Sequence, residues 1–334
     1  MKILIVITKG NTGGAQMSAL NLADGLKNNG HDVTVGFGYG DFLPKELNKI
    51  NIPFVNFKNL KRSHNPLANL FFIWEIKKYL DKNKYDVIHI NSSNALAAAL
   101  AAKLSRTKLR TIFTHRGLTL LDANYQKNKF LKLIYKFYFK FFLRYIDEQI
   151  FVSQNNFDYA LKNKIAKNGF VIHNGLDPVN LKIYPKDAAR EKLLLINNSA
   201  FRIPHSAFAL GSIGRLDYAK NYEFLINLFP EILRIKPNAK FIIIGEGAER
   251  KNYKAMIKRL NLQNKIILAG EIKNASQYIK AFDLFVLPSR YEGLSITLIE
   301  ALFAGVPILA SNVGGTPELL EHAKEQLFEL DNTA

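Results

Sequence analysis

Short apolar runs alternate with helical patterns along this whole chain, and the alternation starts afresh in the second half. In the first half, residues 3–7, 33–37, 86–91, 110–114 and 149–152 read as strands, followed by a short one at 170–173. Helical patterns fall between them near 16–28, 66–81, 94–104, 127–146 and 155–164. The second half gives strands at 207–213, 240–244, 265–269, 283–287 and 306–310, with helices near 221–235, 249–260, 275–281 and 295–304. Strand–helix alternation of this kind is the pattern of parallel α/β folding. The stretch from Asn174 to about Pro204, rich in Pro, Asn and Lys, reads as the connection.

A chain of 334 residues is too long for one ordinary domain. The expected architecture is therefore two Rossmann-like parallel-sheet domains, 1–173 and 174–334, facing each other across a cleft. Ligands of such sheets bind beyond the carboxyl ends of the strands. The strand-to-helix loops are the places to look for chemistry.

Composition removes several alternatives. A 48% hydrophobic content supports real cores and argues against disorder. The absence of cysteine excludes disulfides, thiolate metal sites and Cys nucleophiles, and fits a reducing, cytoplasmic setting. The run Ile3–Ile7 is shorter than the roughly 7–15 apolar residues of a signal-peptide core. No stretch approaches the roughly 18 apolar residues of a membrane-spanning helix. Charge is uneven: residues 1–173 carry 26 Lys/Arg against 11 Asp/Glu, a net of +15, and residues 174–334 carry 20 against 17, a net of +3. A basic half attracts phosphates, on a membrane surface, a substrate or a nucleic acid. No nucleic-acid motif is present.

Three loops stand out. "KGNTGGAQ" at 9–16 follows the first strand, and its Gly13 and Gly14 suit either a tight turn or a close approach of backbone to a ligand. It is neither a P-loop nor a dinucleotide fingerprint. "GSIGRLDYAKN" at 211–221 places Arg215 past a strand end and Lys220 before a helix, an arrangement that suits a diphosphate or simply two solvated cations. "SRYEGLSITLIEALFAG" at 289–305 carries Glu292 at a turn and Glu300 inside the following helix. Backbone N–H groups of Gly293, Leu294 and Ser295 at that helix start would favour an anion. Glu300 falls on the order of 7 Å along the axis, beside the apolar arc, where sugar hydroxyls would be good donors to it. His115, at the end of a first-half strand, could bond a sugar hydroxyl. The His and acidic spacings give no metal site.

These motifs together resemble the retaining GT-B glycosyltransferases of family 4. The resemblance rests on "GGA" at 13–15, "THRG" at 114–117, "FVS" at 151–153, "VIHNGLD" at 171–177, "GRLDYAKN", "IIGEGAER" at 243–250, "LPSRYEGLSITLIEAL" and "GVPILASNVGGTPELL" at 305–320. It implies a transfer of sugar from a nucleotide-diphosphate sugar to an acceptor hydroxyl, with retained configuration and with neither metal nor cofactor. It further implies that Glu300 holds the ribose, Glu292 the donor sugar, and Arg215 and Lys220 the diphosphate with backbone 293–295. His115 and Gly14 would close over the sugar. The family pattern continues past Phe328 into a returning helix, so the crossover helix at the carboxyl end is expected to be missing here.

Two rival functions remain at this level: a nucleotide-sugar 2-epimerase of the same fold, and a non-catalytic basic protein of the membrane surface. The basic half directs attention to "KNKFLKLIYKFYFKFFLRY" at 127–145. There Lys129, Lys132, Lys136, Lys140 and Arg144 share one arc of the wheel, interrupted by Leu133, Phe139 and Leu143, and most of the aromatics fill the other. Such a helix either covers the sheet or docks on an anionic membrane. The expected partners are a nucleotide sugar, a lipid-linked or polysaccharide acceptor and an anionic membrane surface, at the cytoplasmic face of the inner membrane.

Overall fold

The structure is a computed structural model that describes residues 1–61, 66–118, 124, 129–178, 181–196, 203–204 and 206–332. The chain divides into two compact units, Met1–Asn174 and Gly175–Ala334.

Unit 1 contains β1 (Lys2–Lys9), α1 (Gly14–Asn28), β2 (Asp32–Tyr39), α2 (Phe42–Lys49), β3 (Phe54–Asn56), α3 (Pro66–Asn83), β4 (Val87–Ile90), α4 (Ala98–Leu104), β5 (Arg110–His115), α5 (Lys129–Leu143), β6 (Glu148–Phe151), α6 (Gln154–Lys162) and β7 (Phe170–Val171). Its seven strands run parallel in the order β3-β2-β1-β4-β5-β6-β7. β1 is an interior strand between β2 and β4, so its residues face core on both sides: Ile3, Ile5 and Ile7 pack with α1 and α2, and Leu4 and Val6 pack with α3 and α4. This explains why the strand reads as an unbroken apolar run rather than an alternating one.

Unit 2 contains α7 (Lys186–Ile196), β8 (Phe208–Ile213), α8 (Tyr222–Ile235), β9 (Ala239–Ile244), α9 (Arg250–Arg259), β10 (Ile266–Gly270), β11 (Leu284–Leu287), α10 (Ile296–Ala304), β12 (Ile308–Ser311), α11 (Thr316–Leu319) and β13 (Leu327–Phe328). Its six strands are again parallel, in the order β10-β9-β8-β11-β12-β13. In each sheet the strand order reverses beside the first strand: between β1 and β4, and between β8 and β11. At such a switch point the loops leave in opposite directions and open a crevice.

Several elements differ from the sequence expectation. The stretch 174–204 is not only a connection, because α7 forms within it and buries Ala189 and Leu193 in the unit 2 core. Burying that leucine alone contributes about 2 kcal/mol, and Arg190 ties the helix to the sheet by donating from Nε to the Ala281 carbonyl (2.9 Å) and pairing with Asp283 (2.8 Å). β3, β13, α2 and α11 are too short to announce themselves by periodicity. The segment 275–281 is a 3-10 helix.

Candidate active site

Unit 2 brings the loop after β8 and the loop after β11 together at its switch point. Lys220 closes a one-turn 3-10 helix, Tyr218–Lys220, that follows β8. Its Nζ lies 2.6 Å from Glu292 Oε1, and the two side chains are only 14% and 13% exposed. Ser289 Oγ donates to the same carboxylate oxygen at 2.6 Å. Two of the residues singled out in the sequence thus form one buried ion pair. Arg215 lies apart from them: its side chain is 65% exposed and pairs with Asp217 at 3.1 Å.

The pair is held by backbone that only glycine can provide. Gly314 has φ of 56°, and a Cβ there would lie 2.0 Å from the Glu292 carbonyl oxygen. Gly315 N–H donates to the Gly293 carbonyl at 3.0 Å, so the 313–316 turn presses the Glu292 loop into place. On the β8 side, a Cβ on Gly245 would lie 2.0 Å from the Gly214 carbonyl oxygen.

Ser295 caps α10, its Oγ accepting from Leu298 N–H at 3.4 Å. The helix begins at Ile296, one residue later than the sequence suggested. Glu300 lies inside α10, largely buried and accepting a hydrogen bond from Ser276; burial outweighs that bond and pushes its carboxyl up to about 7. A carboxylate this starved of donors is poised to accept hydroxyls from a ligand.

Arg290 is the residue that sequence reasoning missed. Its guanidinium stacks 4.1 Å from the Tyr218 ring centroid, Nη1 donates to the Tyr218 carbonyl at 2.9 Å, and Nη2 pairs with Glu223. Its backbone N–H reaches the Ala219 carbonyl at 2.8 Å. Arg290 therefore staples the Lys220 turn to the Glu292 loop. Its position two residues before Glu292 was the one available signal.

In unit 1, Gly13 precedes α1, and α1 starts at Gly14 with no acidic residue in its first turn. His115 ends β5 but is not open to solvent. Its ring is 1% exposed and stacks on Phe151 at 4.1 Å, with Nε2 3.0 Å from Gln149 Oε1. Burial pulls the imidazole down to about 4, so it is neutral at pH 7, with Nδ1 buried and unpartnered.

On α5, the expected surface role of Phe139 is corrected. Phe139 is 4% exposed and packs edge-on against Phe113 at 6.3 Å, and Leu143 joins it in the core. Residues 135, 138, 139, 142 and 143 form the inward stripe, whereas Phe130, Leu133, Ile134, Phe137 and Phe141 are exposed. The wheel reading had several aromatics on the wrong side. Lys132, Lys136 and Lys140 are partly exposed and Arg144 is exposed; the side chain of Lys129 lies outside the described residues. No helix among the described residues is long and apolar enough to cross a membrane.

The amino-terminal half matches the model of Glycosyltransferase Family 4 over residues 12–180, and residues 197–333 match Glycosyl transferases group 1. The chain belongs to glycosyltransferase family 4. An uncharacterized glycosyltransferase of Methanocaldococcus jannaschii is 29% identical over 82% of this chain and 67% of its own. A Campylobacter jejuni enzyme, the N-acetylgalactosamine-N,N'-diacetylbacillosaminyl-diphospho-undecaprenol 4-alpha-N-acetylgalactosaminyltransferase, is 28% identical over 81% of this chain and 72% of its own. Among solved structures, Anabaena HepE in complex with UDP and glucose superposes with a TM-score of 0.81 at 22% identity, covering 99% of this chain and 86% of that one. This family 4 chain has the GT-B fold, two parallel-sheet α/β domains of seven and six strands.

Proposed function

We propose that this glycosyltransferase moves a sugar from a nucleotide-diphosphate sugar to a hydroxyl of a lipid-linked or polysaccharide acceptor, with retained configuration and without a metal. The observation that carries the reading is the Lys220–Glu292 pair at the unit 2 switch point, followed by the donor-starved Glu300 inside α10. Glu300 accepts the ribose hydroxyls, Glu292 accepts those of the donor sugar, and Lys220 turns from Glu292 to the diphosphate as it arrives. Arg215, on its exposed loop, adds a second cation to the leaving group, and the start of α10 at 293–295 adds its dipole. UDP is the favoured nucleotide, since the HepE complex contains it, and a diphospho-undecaprenol acceptor of the Campylobacter relative supports the lipid-linked class.

The acceptor class suggests a place at the inner face of the cytoplasmic membrane. Support comes from α5, where Phe130 and Phe137 are 65% and 66% exposed beside Lys132, Lys136, Lys140 and Arg144. α3 on the same sheet face adds Phe71 and Trp74, both well exposed. Basic and aromatic side chains on one helical layer suit an anionic lipid interface.

The deciding experiment is a thermal-shift panel of UDP- and GDP-sugars followed by transfer assays on undecaprenyl-diphosphate sugars. Stabilisation by one nucleotide sugar and acceptor-dependent release of its nucleotide are expected. Conversion of the donor with no acceptor present would reassign the enzyme as an epimerase.

A further inference from the structure

The turn that presents Lys220 is too short to hold itself firmly. Tyr218–Lys220 is one 3-10 turn, closed by the Lys220 N–H donating to the Asp217 carbonyl at 3.1 Å, and such turns have the poorer hydrogen-bond geometry. Its next two carbonyls are held by Arg290. The side chain donates from Nη1 to the Tyr218 carbonyl at 2.9 Å, and the backbone N–H donates to the Ala219 carbonyl at 2.8 Å. The other flank is tied as well. Asn221, fully buried and left-handed with φ of 53°, donates from Nδ2 to Asp331 Oδ1 at 2.9 Å. With both flanks of Lys220 fixed, motion is left to its flexible four-carbon stem.

Arg290 is anchored in turn. Ser289 before it is fully buried, and its carbonyl accepts from Ser311 Oγ at 2.6 Å, so the end of β12 pins the start of the loop. The Arg290 side chain is 11% exposed and pairs with Glu223 of α8, while its guanidinium lies 4.1 Å from the Tyr218 ring centroid. A carboxylate and an aromatic face thus answer its charge inside the protein. Arg290 is placed to hold backbone rather than to reach a ligand.

We propose that Arg290 is a positioning residue of the donor site: through the Tyr218–Lys220 turn it fixes the backbone from which Lys220 reaches a ligand's diphosphate. The inference rests on the reading of Lys220 as a diphosphate-binding residue. Lys220 Nζ, 2.6 Å from Glu292, then needs only side-chain rotation to meet a phosphate. A cation on a preset turn loses less freedom on binding than one on a loose loop.

The test is calorimetric titration of the full chain with UDP, arranged as a double-mutant cycle. Lys220→Ala should weaken UDP binding about tenfold or more, and Arg290→Gln about threefold to tenfold. Arg290→Lys keeps a charge for Glu223 but loses the planar fork, so it should resemble the Gln variant. Added to Lys220→Ala, Arg290→Gln should change affinity by less than about twofold, because the group it positions is gone. Added to Glu300→Gln, the same change should keep its full effect, which excludes a floor on measurable affinity. A purely structural Arg290 would lower the melting temperature and leave UDP affinity alone. Should the Gln variant not fold, Arg290→Lys carries the cycle. Wild-type affinity in both Arg290 variants, or an Arg290 effect that persists undiminished beside Lys220→Ala, overturns the proposal alone. Wild-type affinity in Lys220→Ala would overturn the parent reading of Lys220 and this proposal with it.

Discussion

Lys220 and Glu292, 72 residues apart, meet at 2.6 Å with both side chains nearly buried. Breaking a buried ion pair leaves a charge without a partner, which typically costs about 3–5 kcal/mol. Lys220→Ala should therefore lower stability as well as turnover, and Glu292→Ala in the same chain should recover most of the lost melting temperature. Arg215→Ala, at an exposed site, should cost about two orders of magnitude in kcat without lowering stability. Steady-state kinetics and thermal melts of these three variants separate these effects. In the same assays EDTA is expected to leave kcat unchanged; loss of activity restored by magnesium would overturn the metal-free mechanism.

Glu300 is expected to make donor binding pH-dependent. Burial raises its carboxyl from 4.5 to about 7. Between those values the unfolded chain gives up its proton while the folded chain keeps it, so stability falls as pH rises through that window and the penalty is complete above 7. Glu300→Gln should remove the penalty and be the more stable protein at pH 8, by on the order of 2 kcal/mol, with little difference at pH 4.5. Ribose hydroxyls favour the ionised form, so wild-type affinity for the nucleoside diphosphate should weaken as pH drops below about 7. The Gln variant should bind it more weakly at pH 8, by roughly 1–3 kcal/mol, and show a flat profile. A wild-type affinity that does not change between pH 5.5 and 8 would remove Glu300 from the site.

Gly314 tests the geometry rather than the charges. Gly314→Ala places a methyl against the Glu292 carbonyl oxygen in a left-handed conformation. Strain of about 1–3 kcal/mol is expected, and because the displaced backbone carries Glu292, kcat should fall with it. A variant that melts lower yet keeps full kcat would show that the Glu292 loop tolerates displacement.

The basic and aromatic layer of unit 1 should bind vesicles containing anionic lipid at low salt and release them at high salt. Changing Lys132, Lys136 and Lys140 together to Glu should abolish sedimentation with such vesicles, and Trp74→Ala should weaken it without changing its salt dependence. Wild-type protein that ignores the vesicles at low salt would leave α5 as scaffold alone.

The sequence by itself determined the two parallel sheets and most of their strands, because a strand covered on both faces must be apolar throughout and therefore shows as an unbroken run. It also marked the loops after β8 and β11, since glycines and charges at strand ends interrupt that pattern. Tertiary structure decided the rest. Arg290 and Gly314 act through neighbours remote in sequence, and neither their charge nor their conformation has a periodic signature. α7 was hidden in a polar stretch whose few apolar residues matter only because the 275–281 segment and the unit 2 core lie beneath them. On α5 aromatics cover nearly the whole circumference, so the wheel could not say which face the sheet takes; packing against Phe113 chose Phe139, and left Phe137 outside. The same is true of His115 and Arg116, adjacent in sequence: strand β5 turns one ring into an aromatic core and sends the next side chain into the crevice.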